Sequence, residues 1–153
     1  MPQIRLRDSG GVLRTIARIR MRDAGGVLRA VQQVRMRDSG GVLRTVFVYL
    51  SLSLDATYIS EVDSGAAASG TTTSAAVTGT PVGGTAPFSY AWTRISGDAQ
   101  ITAGSPAAAA TTFSAACFDG IMYSAIFRLT VTDANGATAS RDVQVDLTWA
   151  DTR

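Results

Sequence analysis

The sequence has no histidine and only one cysteine, Cys117. Without histidine, the Ser-His-Asp and Cys-His arrangements that activate most enzymatic nucleophiles cannot form. A single cysteine excludes a disulfide within the chain and, with no histidine beside it, a zinc cluster. We therefore expect a protein that is not an enzyme, with no catalytic residues, no bound metal and no cofactor.

Long apolar runs and aromatic residues are also scarce. No apolar run approaches the roughly 18 residues that a membrane-spanning helix needs, and Met1–Asp8 shows no signal-peptide core. We therefore expect a chain that is made in a cytoplasm and is soluble, or assembled into something soluble. Aromatic residues make up 7% of the chain, whereas Gly, Thr, Ser and Val are abundant, which favours an all-β fold.

Lysine is absent as well, so all 14 basic residues are arginine, and they are unevenly distributed. Residues 1–49 contain ten Arg against three Asp, a net charge of +7. Residues 50–153 contain four Arg against nine acidic residues, a net charge of −5. A basic first third joined to an acidic remainder indicates two parts with different partners. The basic part is either a docking surface for an acidic partner or simply a solvated surface.

A 15-residue repeat occurs three times in the first fifty residues. The copies are Arg5–Thr15 (R-L-R-D-S-G-G-V-L-R-T), Arg20–Ala30 (R-M-R-D-A-G-G-V-L-R-A) and Arg35–Thr45 (R-M-R-D-S-G-G-V-L-R-T). Each Gly pair predicts a hairpin turn, because glycine adopts the positive φ that tight turns require. The runs between turns contain β-branched residues and neither Pro nor Gly, so they predict long strands rather than helices. These strands span Val12–Asp23, Val27–Asp38 and Val42 to about Asp55.

The expected hairpins place arginine opposite arginine. A turn on Ala24–Gly25 pairs Arg20 with Arg29. A turn one residue later pairs Arg22 with Arg29 instead. Each like-charge pair costs up to about 1 kcal/mol. An anion would relieve the repulsion: an Asp of the repeat, a carboxylate of a neighbouring chain, or a phosphate.

A meander of about fifty residues is also too thin to bury its own apolar face. We therefore expect the repeat to assemble with other copies or with another protein; a lone meander packed on the following domain is the alternative. The proposed assembly and partner-binding residues are Arg5, Arg7, Asp8, Arg14, Arg18, Arg20, Arg22, Asp23, Arg29, Arg35, Arg37, Asp38 and Arg44. Nucleic acid is disfavoured as the partner, because Asp residues interrupt the arginines in register and no interleaved aromatic residues would read bases.

From Ser74 onward, short strands at even spacing with turns between them are typical of a β-sandwich. The residues expected to alternate inward and form its core are Phe88, Tyr90, Trp92, Phe127, Leu129, Val131, Val143 and Val145. The expected domains are an Arg-rich β-repeat region at 1–55, a connector at 56–73 and an Ig-like sandwich at 74–150. Within the connector, residues 56–62 could form one more short strand, and the small, polar residues 64–74 suit either a linker or an edge strand.

The second part contains the stretches V-T-G-T-P-V-G-G-T-A-P-F-S-Y-A-W-T (Val77–Thr93) and Y-S-A-I-F-R-L-T-V-T-D-A-N-G-A-T-A (Tyr123–Ala139). These stretches resemble an immunoglobulin-like domain of the PKD type. The resemblance implies a β-sandwich with Trp92 as the core aromatic residue and no disulfide. The chain departs from the family pattern in the Ala-rich segment Ala107–Ile121, which contains the candidate strand Thr111–Ala115.

An Arg-Asp-Gly-Gly repeat followed by an Ig-like module also resembles structural proteins of tailed bacteriophages, of the tail-fibre or tail-tip type. This resemblance implies a non-enzymatic virion component whose repeats anchor the chain or trimerise. The Ig-like domain would be displayed, either to reinforce the tail or to bind a host-surface glycan through many weak contacts. Its partners would be other copies of the chain, other virion proteins and that glycan. The alternatives are a capsid decoration or head-fibre protein and a bacterial surface carbohydrate-binding module.

Three carboxylates, Asp98, Asp119 and Asp133, lie in predicted turns. Asp in a turn either shapes the turn through its side chain or binds Ca²⁺. We favour turn formation, because the sequence contains no spaced D-x-D-x-D cluster. Cys117, beside Phe118, is expected to be a small buried apolar residue.

Three aromatic residues, Tyr58, Tyr123 and Trp149, are candidates for stacking on a sugar ring. A carbohydrate platform usually needs several rings on one face, and the sequence does not show whether these three share one. For Trp149, the alternative is that it anchors the C-terminal segment to the domain.

Overall fold

The computed structural model describes residues 49–153 in full, together with Gly41 and Val42 and the backbone of six strands within residues 5–48. All regular structure in this part of the chain is β, which confirms the predicted class, and no helix able to span a membrane occurs among the described residues. The strands are β1 (Arg5–Arg7), β2 (Leu13–Thr15), β3 (Arg20–Arg22), β4 (Leu28–Ala30), β5 (Gln33–Arg37), β6 (Leu43–Val48), β7 (Ser51–Leu54), β8 (Tyr58–Gly65), β9 (Ser69–Thr73), β10 (Val77–Val82), β11 (Ser89–Gly97), β12 (Thr102–Ala103), β13 (Ala110–Thr111), β14 (Phe113–Phe118), β15 (Met122–Thr132) and β16 (Thr138–Asp151).

Each copy of the repeat forms one hairpin in the described backbone. The hairpins β1–β2, β3–β4 and β5–β6 share one register, in which the second Arg of R-x-R pairs with the Leu of V-L-R. Arg29 pairs with Met21 rather than with an arginine, so the predicted pairing of arginine with arginine is wrong. Five residues separate Arg22 from its partner Leu28. This odd-numbered connection shifts the register by one residue from that of a two-residue turn.

The long strands predicted between the turns are divided between different partners. The run from Val42 to about Asp55 is divided at Tyr49 and Leu50: β6 pairs with β5, whereas β7 pairs with β10 of the following domain. The prediction of one continuous strand there is wrong. In the two earlier runs, the first strand closes one hairpin and the second opens the next. The residues between those strands lie outside the described part of the chain.

Residues 51–151 form a two-layer β-sandwich. One layer is a four-stranded sheet in the order β11-β15-β16-β8, antiparallel except for the parallel pair β16–β8. The other layer contains two three-stranded sheets, β13-β10-β7 and β12-β14-β9. These sheets are continuous with each other, because β9 leads into β10 and β13 into β14. Between them, the Ser74 N–H donates to the Phe113 carbonyl at 2.8 Å.

Alternating residues of β11, β15 and β16 supply much of the core between the layers. Phe113 makes an edge contact with Trp92, with ring centroids 5.6 Å apart, and a tilted contact with Phe127 at 4.5 Å. The Trp92 indole N–H donates to the Ala108 carbonyl at 3.1 Å, so its polar atom is satisfied. Of the core residues named from the sequence, Trp92, Phe127, Leu129, Val131, Val143 and Val145 are buried, and Phe88 and Tyr90 are half-buried against the core.

Residues 56–73, which the sequence assigned to a connector, contain two strands of the sandwich. β8 pairs in parallel with β16, and β9 pairs with β14. Each lies at the edge of its sheet, so the edge-strand alternative describes this stretch and the linker alternative does not. The sandwich therefore begins at Ser51 rather than at Ser74.

Trp149 accounts for the linker-like composition of this stretch. Its indole ring packs on Gly65 and Gly70, where an added Cβ would lie 2.8 Å from the ring or would overlap it. Its Nε1 donates to the Ala67 carbonyl at 2.8 Å. Gly65 and Gly70 are required by this packing, and Trp149 ties the last strand to both edge strands.

The sandwich has a proximal end, where the repeat region joins it, and a distal end on the opposite side. At the proximal end, where the repeat region joins, Leu50 and Asp133 both lie against Gly84. At the distal end lies the Phe118–Ile121 turn, which joins β14 to β15 next to the end of β16. β15 runs from the distal to the proximal end. Its 11 residues separate the ends by roughly 33 Å at the usual rise per strand residue.

Candidate interaction surfaces

The arginines proposed for assembly lie mostly in the hairpin strands. The strand residues among them are Arg5, Arg7, Arg14, Arg20, Arg22, Arg29, Arg35, Arg37 and Arg44. Arg18 and the repeat carboxylates Asp8, Asp23 and Asp38 lie outside the described residues. The shared register places equivalent arginines at equivalent positions of three hairpins. Their pairing with carboxylates of a neighbouring chain stays a prediction.

Asp133 organises the proximal end of the sandwich. Its Oδ1 accepts hydrogen bonds from the backbone N–H groups of Asn135 and Ala137, at 2.9 and 2.8 Å. Its Oδ2 accepts from the Thr85 N–H at 3.0 Å. The carboxylate is buried and both oxygens are occupied by backbone donors. Asp133 therefore shapes its turn and joins it to the neighbouring loop.

The other two turn carboxylates also accept backbone hydrogen bonds, and each joins its turn to a neighbouring strand. Asp98 Oδ2 accepts from the Ser124 N–H and Asp119 Oδ1 from the Asp151 N–H, both at 2.8 Å. Among the side chains that the structure describes, those of residues 41–42 and 49–153, no group of three or more His, Cys, Asp or Glu is placed to hold a metal ion. The geometry thus assigns these carboxylates to turns of this fold.

The aromatic candidates for sugar stacking are not on one face. Tyr123 is buried in the core, and Trp149 is half-buried under the loop at Gly65 and Gly70. Tyr58 alone is well exposed, on the outer face of the four-stranded sheet. The structure brings no two of these rings into stacking contact, so a multi-ring sugar platform does not form from them.

Asp146 is a buried carboxylate on the outer face of the four-stranded sheet. The Ser124 hydroxyl donates to its Oδ1 at 2.6 Å, and the Tyr58 hydroxyl donates to its Oδ2 at 2.9 Å. Gln144 Nε2 lies within 3.4 Å of both oxygens. Burial raises the pKa of Asp146, but the three donors outweigh it and bring that pKa below its ordinary value of 3.8. Asp146 therefore joins Ser124 of β15 and Tyr58 of β8 through one buried carboxylate.

A charged pair, Arg128 and Asp142, lies on the same outer face. Arg128 donates to both carboxylate oxygens of Asp142, at 2.7 and 2.8 Å, across the β15–β16 ladder. The hydrogen bonds lower the pKa of Asp142 and raise that of Arg128. Both side chains are more than two-fifths exposed, so water screens the pair and its contribution to stability is small.

Four exposed apolar side chains lie at the distal end, and we call them the distal rim: Val62, Phe118, Ile121 and Met122. Their exposed fractions are 59, 58, 49 and 62%. Phe118 and Ile121 are the first and last residues of a turn closed by the Ile121 N–H, which donates to the Phe118 carbonyl at 3.1 Å. Val62 and Met122 are the two cross-strand neighbours of Thr148. Val62 and Met122 lie on the outer face of the four-stranded sheet, whereas Phe118 lies on the outward face of β14 in the other layer.

Local sequence patterns miss the distal rim and the Asp146 cluster. Two of its four residues, Phe118 and Ile121, lie in the Ala-rich segment that departs from the family pattern. Its Asp119–Gly120 pair between two apolar residues is a turn signal that could have located it. The burial of Asp146 depends on Tyr58 of β8, and no local pattern shows that β8 pairs in parallel with a strand some ninety residues away.

Two packed layers of mostly antiparallel strands, with a tryptophan buried between them, define an Ig-like β-sandwich of the PKD type. The only cysteine, Cys117, is buried and free, so no disulfide joins the layers. Residues 64–147 match the K319L-like PKD domain family, and the chain belongs to this family.

Solved structures similar to this chain include two PKD domains. The solution structure of the PKD domain from human KIAA0319 is 14% identical, covers 68% of this chain and 85% of that chain, and has a TM-score of 0.41. The solution structure of the PKD domain from the KIAA 1837 protein is 14% identical, covers 61% of this chain and 84% of that chain, and has a TM-score of 0.34. No curated protein matches the chain.

Proposed function

We propose that this protein is a non-enzymatic structural protein of a tailed-bacteriophage virion, of the tail-fibre or tail-tip type. The observation that carries the proposal is the succession of three hairpins in one register, followed by one PKD-type sandwich. A repeated β unit with an apolar face gains stability when that face packs against other copies. The repeats therefore assemble the chain, as a homotrimer, and the sandwich is displayed.

The polar chemistry of the sandwich supports a role without catalysis. PKD domains are generally non-catalytic adhesion or structural domains. In this chain, the buried carboxylate of Asp133 holds a turn, and that of Asp146 joins Ser124 and Tyr58 of two different strands. These groups stabilise the fold, so we assign the function of the domain to its surface.

The two ends of the sandwich give the display a direction. The repeat joins at the proximal end through Leu50, so the distal end faces away from the anchor. Weak contacts between displayed sandwiches and host-surface molecules, glycans among them, gain avidity from the many copies on one particle. Reinforcement of the tail and attachment to the host are both served by this arrangement.

A capsid decoration or head-fibre protein is the second candidate, and the charge distribution favours it. Residues 1–49 carry a net charge of +7, whereas the remainder carries −5. A basic segment of this kind can dock on an acidic capsid lattice while the acidic domain is repelled outward.

Antibodies raised against residues 49–153 distinguish these candidates on purified virions of a phage whose genome encodes the chain. We expect immunogold label on the tail fibres or tail tip, and a copy number per virion that is a multiple of three by quantitative mass spectrometry. Label on the head would favour the decoration protein. Absence of the chain from virions, with label on the bacterial surface, would contradict both candidates and favour a surface carbohydrate-binding module.

A further inference from the structure

Asn135 is the only asparagine in the chain, and glycine follows it in the turn that joins β15 to β16. The Asn135 side chain is exposed. Gly136 has no side chain to shield its backbone nitrogen, and its φ is +75°. An exposed Asn-Gly pair can react with itself, because the glycine nitrogen can attack the side-chain carbonyl carbon of the asparagine and close a five-membered ring.

Hydrogen bonds hold both reacting groups of this pair in the folded protein. Asn135 Nδ2 donates to the Thr85 hydroxyl oxygen at 2.8 Å. The Gly136 N–H donates to the Asp133 carbonyl at 2.9 Å and closes the turn. Ring closure needs the Gly136 nitrogen without its proton and turned onto the Asn135 side chain. Both hydrogen bonds must therefore open first, by a local fluctuation of the turn.

We propose that Asn135 is a site of spontaneous deamidation and that the Thr85 hydroxyl restrains this reaction in the folded protein. The Gly136 nitrogen forms a bond to Asn135 Cγ, the Cγ–Nδ2 bond breaks, and Nδ2 leaves as ammonia with the proton of the Gly136 N–H. Water then opens the resulting succinimide ring. Cleavage at Cγ gives aspartate, and cleavage at the backbone carbonyl carbon of residue 135 gives isoaspartate. The inference goes beyond the proposed function and does not depend on it.

Either product alters the proximal end of the sandwich. Both products lose the Nδ2 donor to Thr85 and gain a carboxylate close to the buried Asp133, whose Oδ1 accepts the N–H of residue 135. Isoaspartate also lengthens the main chain by one carbon, which displaces the next two N–H groups from the oxygens of Asp133 that they now reach. Asp133 and Leu50 both lie against Gly84, where the repeat region joins. Deamidation therefore loosens this end progressively as the protein ages.

Peptide mapping by mass spectrometry of the full chain, stored in mildly alkaline buffer, tests the proposal. Trypsin releases residues 129–141, in which Asn135 carries the only side-chain amide. Thr85→Val removes the hydroxyl acceptor, Thr85→Ser keeps it, and Thr80→Val removes the hydroxyl of another exposed threonine. We expect deamidation of wild type, and a rate roughly two- to tenfold higher in Thr85→Val, the range that corresponds to the loss of one hydrogen bond. Thr85→Ser and Thr80→Val should react at the wild-type rate.

Urea unfolding of the deamidated protein, separated by ion exchange, tests the structural consequence. Its urea midpoint should fall below that of fresh protein. Asn135→Gln is the control, because its longer side chain would have to close a six-membered ring; its midpoint should not change during storage.

Each part of the proposal has a result that overturns it. A peptide that gains mass in the urea-unfolded chain, but not in folded wild type or folded Thr85→Val, overturns the modification site. Equal rates in wild type and Thr85→Val, or equal acceleration in Thr85→Ser, overturn the role of the hydroxyl. Deamidated protein with an unchanged urea midpoint overturns the loosening of the proximal end. All of these results are independent of where the chain lies in a virion and of whether its repeats assemble.

Discussion

The indole ring of Trp149 lies directly on the Cα of Gly70, so that a Cβ at position 70 would overlap three atoms of the ring. Gly70→Ala should therefore destabilise the sandwich by roughly 2–3 kcal/mol, because the ring must shift or the edge strand must move away. Urea unfolding followed by tryptophan fluorescence measures this, since Trp92 and Trp149 are the only tryptophans and both lie in the sandwich.

Gly120→Ala is the control for this prediction. A Cβ at Gly120 meets no atom within 4 Å, but its φ of +69° is costly for any residue with a side chain. We expect a loss of about 1 kcal/mol from backbone conformation alone. A Gly70→Ala variant as stable as Gly120→Ala would contradict the packing of Trp149 described above.

Phe113 and Phe118 lie on the same strand with opposite surroundings. Phe113 is fully buried between Trp92 and Phe127, whereas Phe118 is 58% exposed. Phe113→Leu should lower the free energy of unfolding by roughly 1–3 kcal/mol, because it leaves a cavity and removes two aromatic contacts. Phe118→Leu should change it by less than about 0.5 kcal/mol. Equal losses of stability in the two variants would show that Phe113 does not face the core while Phe118 faces solvent.

Asp146 makes stability depend on acid pH. Its pKa is lowered in the folded protein, so its ionised form contributes stability at pH values above the ordinary 3.8. That contribution is lost as the pH falls below about 4 and through the folded-state pKa. Asp146→Asn should be less stable than wild type at pH 6, and the difference should shrink towards pH 2.5. Urea midpoints across this range measure it, and a difference that stays constant with pH would refute the role of the charge.

Asp133 should matter more than Asp98, because it accepts three backbone hydrogen bonds where Asp98 accepts one from Ser124. Asp133→Ala leaves the Thr85 N–H and two turn N–H groups without a side-chain acceptor, and should cost about 2–3 kcal/mol. Asp98→Ala should cost about 1 kcal/mol. Thermal unfolding of both variants checks the order. Added Ca²⁺ should not shift the midpoint temperature of wild-type unfolding. A midpoint that rises with Ca²⁺ would instead support Ca²⁺ binding by the turn carboxylates.

Much of the sandwich follows from local pattern. Alternation of apolar residues along 127–131 and 143–147 places both strands and their inward faces, since period two is a direct consequence of strand geometry. The turn at Asp133–Gly136 follows from residue types that favour turns. Trp92 follows from the family resemblance and lies in the core.

The remaining features depend on contacts between distant residues. Gly65 and Gly70 resemble a linker until Trp149 is seen to need the space that they leave. The repeat register depends on the number of residues in the hairpin connection, which the Gly pair alone does not fix. Val62 lies at the same end of the sandwich as Phe118–Met122 only because β8 pairs in parallel with β16.

The central claim is that the repeats assemble the chain, and sedimentation velocity of the full chain beside residues 49–153 tests it most directly. Every core residue among those that the structure describes lies within that fragment. The account predicts that the full chain sediments in multiples of three, that Arg20→Gln with Arg29→Gln weakens this, and that the fragment is monomeric. A full chain that is monomeric at every concentration, or a fragment that assembles equally well, would contradict it.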